Sequence, residues 1–242
     1  MLVASYLAGS LPLTNVASRR VSGVDLRDVG NGTVSGTGLY SVTGFRTLAV
    51  VGCMELAKGA AGPLLAGRER PWLAAAAGGA AVSGHNWSPF LGFAGGRGVA
   101  PALGASLVTA PEGSALLAAG LGLGRLAGET AIGCFLSICA MPWVLGRRRG
   151  AVGWATGLAL AVPMLVKRVV GNGPVPSRSA AVYLYRLVLD RDTLRTCRET
   201  RVERADGRSN RAPLAWKSIR MRRERPSALS QAPLSRHVLR RV

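Results

Sequence analysis

Acidic residues and histidine are what this chain has least of. Twelve Asp and Glu stand against 31 Lys and Arg, and there are two histidines in 242 residues. The four cysteines form no Cys-x-x-Cys pair and no cluster with histidine, which argues against a structural zinc site and predicts no metal. Cys53, Cys134 and Cys139 fall in apolar runs, where a free cysteine behaves as a small buried hydrophobe. No stretch alternates apolar and polar residues with period two, so no soluble sheet protein competes. The opening MLVASYLAGSLPL has no basic leader region and no small-residue cleavage site before Arg19, and reads as a retained membrane helix.

What the chain has instead is apolar length and glycine. Nearly half of it is hydrophobic, and 32 residues are glycine. A bilayer core takes about 20 apolar residues per helix. Candidate spans are Leu2–Ser18, Thr47–Ala66, Trp72–Phe93, Val99–Gly124, Ala131–Leu145 and Ala151–Val166. Pro111, Glu112 and Gly113 interrupt the fourth, which becomes two short helices with a turn. Seven spans are then expected rather than six. The glycines and alanines suit close helix packing in lipid. The predicted fold is an all-α polytopic membrane bundle.

Charge divides the chain. Residues 1–170 carry 14 basic and 6 acidic side chains, net +8, whereas residues 171–242 carry 17 and 6, net +11. The first part is the membrane bundle. The second is expected to be a basic cytoplasmic tail, largely disordered beyond about Asp192, because it is poor in aromatics and punctuated by Pro and Gly. Such a tail meets membrane lipid headgroups before any nucleic acid. Loop arginines set the orientation: Arg19, Arg20, Arg27, Arg46 and Arg97 against Arg68 and Arg70 put the first and third loops in the cytoplasm. With seven spans, Arg147, Arg148 and Arg149 fall on the other side, against that rule.

Three stretches carry polar chemistry. GHNWSPFLGFAGGRGVA, from Gly84 to Ala100, opens an apolar segment into a glycine loop around Arg97. Glycine lets backbone approach a ligand, and successive amides can form an anion-binding concavity. The same loop could also be a plain turn between hairpinned helices. The long first loop alternates Gly30, Gly32, Gly36 and Gly38 with Asn31, Thr33, Ser35 and Thr37, and reads either as a binding loop or as a polar linker. Glu55 and Lys58 share one helix face within a span, where charges are costly and line a cavity or neutralise each other. His85, in the third span, is either an interhelical hydrogen-bond partner or a chemical group.

These pieces resemble, in order, the bacterial membrane acyl-phosphate:glycerol-3-phosphate acyltransferases, the PlsY family. SYLAGSLPLTNVASR at Ser5–Arg19 resembles that family's opening helix, and GVDLRDVGNGTVSGTG at Gly23–Gly38 its first cytoplasmic motif. ELAKGAAGPLLA at Glu55–Ala66 resembles its DxxKG segment, with Glu55 for Asp. GHNWSPFLGFAGGRGVAPALG at Gly84–Gly104 resembles its most specific motif, with Arg97 for Lys and Ala94 for an earlier Lys. Asn31, Thr33 and Gly38 depart from the first motif, and Ser41 stands where the family has a basic residue, with Arg46 the nearest substitute.

The resemblance implies a multi-pass enzyme of the bacterial plasma membrane. It moves a fatty acyl group from acyl phosphate to glycerol 3-phosphate without cofactor or metal. It implies catalytic roles for His85, Arg97 and Lys58. It also implies substrate binding by Gly30, Gly32, Thr37 and Arg46 in and after the first loop, and by Gly95, Gly96 and Gly98 in the third. In that scheme the Gly95–Gly98 amides cradle one phosphate with Arg97 as its cation, and the Gly30–Thr37 loop holds the second. Lys58 adds charge or pairs with Glu55, and His85 fixes the third helix against the first loop. The departures leave a second reading open, a non-catalytic relative that binds lipid or phosphate. An unrelated small transporter is the third.

Overall fold

The computed structural model describes residues 1–173 and 179–191. All regular structure there is helical. The order is α1 (Leu2–Ser10), α2 (Leu13–Ser22), α3 (Gly36–Thr43), α4 (Phe45–Ala66), α5 (Pro71–Asn86), α6 (Val99–Thr109), α7 (Pro111–Leu126), α8 (Thr130–Val170) and α9 (Ala180–Leu189). Single 3₁₀ turns at Leu26–Asp28 and Pro89–Leu91 sit in the two polar loops. The expected disorder beyond about Asp192 falls outside the described residues.

Three helix boundaries differ from the apolar runs, each for a local reason. The first run breaks into α1 and α2 because Pro12 pushes the preceding Leu11 out of the helical region, to ψ 122°. The third run stops at Asn86, short of Phe93, where Ser88 and Pro89 begin the 3₁₀ turn. The fifth and sixth runs form one element, α8, folded at Gly150, whose φ of 63° and ψ of −143° are open mainly to glycine. Its two arms are 130–149 and 151–170. The interruption around Pro111 lies where expected, with Ala110 between α6 and α7 and Pro111 starting the latter.

Small residues set how closely the helices approach. A methyl group on Gly104 would run into the Leu56 carbonyl, and one on Gly59 into the Pro101 backbone, so α4 and α6 meet backbone to backbone. Gly9 against Ala81 joins α1 to α5, Gly79 against Ala159 joins α5 to α8, and Gly120 against Gly133 joins α7 to α8. Around these contacts Val82, Ala105, Leu117, Ile138, Met141, Leu145, Leu160 and Met164 form the buried core. Large apolar side chains face outward as well: Leu65 is 80% exposed and Leu126 86%. Apolar groups on both the inside and the outside suit a lipid surround. Among the described residues, two helices, α4 and α8, are long and apolar enough to cross a membrane.

The elements gather polar groups at two ends. Arg168, in the second arm of α8, donates to the Ala131 carbonyl at the start of the first arm, 3.2 Å away. That contact puts the start and finish of α8 together and the Gly150 fold at the opposite end. There Arg149 makes a bidentate ion pair with Glu112, at 3.0–3.2 Å. Residues 180–189 lie against the bundle, because α9 packs on α8. Gly104→Ala is expected to lower thermal stability in detergent, by about 1–3 kcal/mol for backbone overpacking. Gly122→Ala, at a position with open space, should leave stability unchanged or slightly raised.

Candidate active site

The break at Pro12 leaves the Leu11 carbonyl without a helical partner, and Lys58 of α4 takes it, its Nζ donating at 2.8 Å. The same ammonium lies 2.7 Å from Oε2 of Glu55, one turn earlier. Thr14 of α2 donates its hydroxyl to Oε1 of Glu55 at 2.8 Å. His85, in the last turn of α5, places Nδ1 3.0 Å from Oε2. One carboxylate therefore collects a hydroxyl, an ammonium and an imidazole from three helices. Glu55 and Lys58 are both buried. A buried ion pair repays its lost hydration only when further hydrogen bonds complete it, and Thr14 and the Leu11 carbonyl supply them.

The imidazole is held on both sides. With Nδ1 donating to a carboxylate, the neutral ring keeps its lone pair on Nε2. That edge faces Gly96, where an added methyl group would overlap Nε2. The Gly96 amide donates to the His85 carbonyl at 3.1 Å, folding the glycine turn back over the end of α5. A recess opens here, lined by Ser10, Thr14, Glu55, Lys58, His85, Ser88, Gly95 and Gly96, with Leu11, Pro12, Val34 and Leu91 as its apolar wall.

The two glycine-bearing loops are stapled together beside the recess. Val34 donates its amide to the Gly95 carbonyl at 3.1 Å. Asn172, just past α8, donates to the Gly32 carbonyl at 2.9 Å and the Gly95 carbonyl at 2.8 Å, and accepts from the Gly95 amide at 3.2 Å. The first loop has its own anchors. Asn15 accepts the Leu26 amide at 2.8 Å, and Ser18 donates to the Val24 carbonyl. The hydrogen-bonded Arg27 guanidinium holds the Asp25 carboxyl at a pKa of about 2, well below the usual range.

The model of the family described as glycerol-3-phosphate acyltransferase matches residues 1–170. The chain belongs to that family. Glycerol-3-phosphate acyltransferase 5 of Dehalococcoides mccartyi is 36% identical over 63% of this chain, which spans 66% of that relative's length. Glycerol-3-phosphate acyltransferase 4 from another strain of that organism is 33% identical over 79% of this chain and 88% of its own. The Geobacter sulfurreducens acyltransferase is 38% identical over 67% and 86%. Among solved structures, the glycerol 3-phosphate form of PlsY, an integral membrane acyltransferase, superposes with a TM-score of 0.63. That match has 24% identity over 69% of this chain and 86% of that one, and shows a shared fold.

Within this acyltransferase fold the residues singled out from sequence divide into two groups. Lys58, His85, Gly95 and Gly96 converge on the recess. Arg97, Gly98, Gly30, Gly32, Thr37 and Arg46 are not among its lining residues. The Gly95 and Gly96 N–H groups are donated to Asn172 and to the His85 carbonyl. Arg97 turns away, donating to the Lys167 carbonyl at 2.7 Å and pairing with Asp190 at 2.7 Å. Burial pushes its guanidinium below the ordinary pKa, and Asp190 pulls it back up. Gly30, Thr37 and Arg46 are exposed.

Sequence reasoning missed Thr14, Ser88 and Asn172. Ser88 donates to the Ser10 carbonyl at 2.6 Å, closing the other carbonyl at the α1–α2 break. An asparagine between Gly171 and Gly173 was the one visible sign of the third. Asn172→Ala removes three hydrogen bonds, each worth about 1 kcal/mol. Amide exchange over residues 30–36 and 93–98 is expected to rise about tenfold or more, read by hydrogen–deuterium exchange with mass spectrometry. Unchanged exchange there would remove the staple.

Proposed function

We propose that this chain transfers a fatty acyl group from an acyl phosphate to glycerol 3-phosphate, forming lysophosphatidic acid and releasing phosphate. The observation that carries the reading is the Glu55–His85 pair with Lys58 beside the recess under Gly96. The chain's relatives bear the acyltransferase name. The PlsY structures of the same fold are of glycerol 3-phosphate and lysophosphatidic acid forms.

An acyl phosphate is a mixed anhydride and arrives activated, so no covalent nucleophile is required. The substrate hydroxyl oxygen attacks the acyl carbonyl carbon while its proton passes to Nε2 of His85. The carbon–oxygen bond to phosphate then breaks, and phosphate leaves with the electron pair. Glu55 orients the imidazole and balances the imidazolium that forms. Lys58 meets the negative charge on the phosphate or the carbonyl oxygen. Thr37, Arg46 and the Gly30–Gly32 backbone are assigned to the soluble substrate's phosphate. Supporting this are the exposure of Gly30, Thr37 and Arg46 and the position of Val34, from the same loop, in the recess wall. Arg97 and Gly98 are assigned to shaping the turn. The acyl chain lies between helices, reached laterally from the membrane lipids.

We also propose seven spans in the bacterial plasma membrane: α1, α4, α5, α6, α7 and the two arms of α8. The first loop and residues 94–98 are cytoplasmic, and residues 171–242 form a basic cytoplasmic segment. Glu112, by neutralising Arg149, relieves the charge on the opposite side. Cysteine labelling of Thr33→Cys and Arg68→Cys from the outside should modify the second and not the first. Modification of both from one side would sink this topology.

A non-catalytic relative is the second reading, favoured by the neutralisation of Arg97. Purified protein given acyl phosphate and labelled glycerol 3-phosphate separates the two. His85→Gln should lower kcat by about 10²–10⁴-fold, the usual worth of a positioned base. Glu55→Gln should fall in the same direction, and Lys58→Met should lose at least about tenfold through a lost charge-assisted contact. No turnover by the unaltered protein would favour the non-catalytic reading. Full turnover by His85→Gln would remove the base.

A further inference from the structure

Four cations from three elements crowd one end of the molecule, at the finish of α8. Arg97, Lys167, Arg168 and Arg186 are each largely buried. Three of the guanidinium groups are used as helix caps. Arg168 of α8 donates to the Leu187 carbonyl at 3.0 Å, at the end of α9, while Arg186 of α9 donates to the Val170 carbonyl at 3.1 Å, at the end of α8. Each helix therefore supplies the cation that satisfies the other's last carbonyls, where the helix dipole favours positive charge. Arg97 adds a third cap, on the Lys167 carbonyl. Arg191 pairs with Glu129 at 2.8 Å, tying the end of α9 to the α7–α8 turn.

The carboxylate that meets Arg97 belongs to Asp190, the residue ending α9. Its backbone is left-handed, φ 54° and ψ 36°, and its amide closes the helix on the Arg186 carbonyl. Glycine, which has no side chain to strain, is the usual residue at such a helix end. An aspartate there bears that strain, and its side chain pairs with Arg97 of the glycine turn. Its carbonyl accepts from Asn31 in the first loop as well, at 3.4 Å. Asp190 thus touches both glycine-bearing loops, and through Arg97 it reaches the residue next to Gly96, which sits against the His85 imidazole.

We propose that Asp190 is a positioning residue. Its ion pair with Arg97 latches the end of α9 onto the glycine turn and so fixes Gly96 against His85. Arg97 then works as a strut rather than as a ligand of substrate phosphate. The inference rests on the acyl-transfer reading for its kinetic consequence, but the latch itself can be read without turnover.

Asp190→Gly is the discriminating variant, because it keeps the left-handed helix end and removes only the carboxylate. In the full-length protein it is expected to raise amide exchange over residues 93–98 severalfold, with α4 and α5 unchanged. It should lower kcat about tenfold, with KM for glycerol 3-phosphate within twofold. Asp190→Glu should recover most of the loss. Arg97→Ala combined with Asp190→Gly should lose no more than Arg97→Ala alone, since that variant already breaks the shared ion pair. Exchange unchanged in Asp190→Gly, or losses that add in the double variant, would overturn the latch. A rise in KM alone would overturn it too, pointing to Arg97 as a phosphate ligand. If the unaltered protein transfers no acyl group, the exchange measurements on the same variants still decide the latch, while the acyl-transfer reading fails separately.

Discussion

Everything at the reactive end depends on one buried carboxylate. Glu55 receives Thr14, Lys58 and His85 from three different helices, and two of those residues have a second tie. Lys58 reaches back to the Leu11 carbonyl freed by Pro12, and the end of α5 is folded under Gly96. An isolated charge in an apolar bundle would cost several kcal/mol, so these partners are conditions of burial rather than decoration. Removing the carboxylate would leave a buried ammonium without its counterion, with the Leu11 carbonyl still accepting from it. The α1–α2 break, which looks like a defect in a span, is therefore part of the site.

The glycines act by bringing backbones together, and this is why the site can be so near helix axes. Gly9 on Ala81 and Gly84 on Tyr6 draw α1 onto α5, and Gly62 on Ser5 draws α1 onto α4. With those contacts set, Ser88 meets the Ser10 carbonyl and Thr14 meets Glu55 without long side chains. Short polar groups lose little rotamer entropy when fixed, so a network built from Ser, Thr and Asn is cheap to order. The same closeness explains Gly96: a ring and a backbone occupy the space that any side chain would need.

How much of this was legible in the residues follows from how local the cause was. Apolar runs and Pro111 gave the helices and the α6–α7 break, and the spacing of three gave Glu55 and Lys58 a common face. His85 and the Gly95–Gly96 turn were legible as a pattern, and the structure brings both to the recess. The jobs of the turn's amides were not legible. Whether an N–H is free depends on Asn172, which is 77 positions from Gly95 and joined to it only by the fold. Likewise Arg97 reads as a phosphate cation until Asp190 and the Lys167 carbonyl are found beside it. The end of the first helix was missed for a different reason. A hydropathy run does not register that a proline restricts the residue before it.

A substrate that arrives as a mixed anhydride needs an enzyme to align two groups and to manage charge, not to form a covalent intermediate. Such a site needs few reactive side chains but demands that they stay still. The structure meets that demand by spending most of its polar groups on each other. The glycine-turn amides at 95 and 96, the Arg97 guanidinium, the Asn172 amide and the Ser88 hydroxyl all hold the frame. On the proposed reading, the chemistry is left to an imidazole, an ammonium and the carboxylate between them. On this view the poverty of acids and histidines in the sequence is consistent with the reaction, because one of each, fixed by a cation and a hydroxyl, is all that the geometry uses.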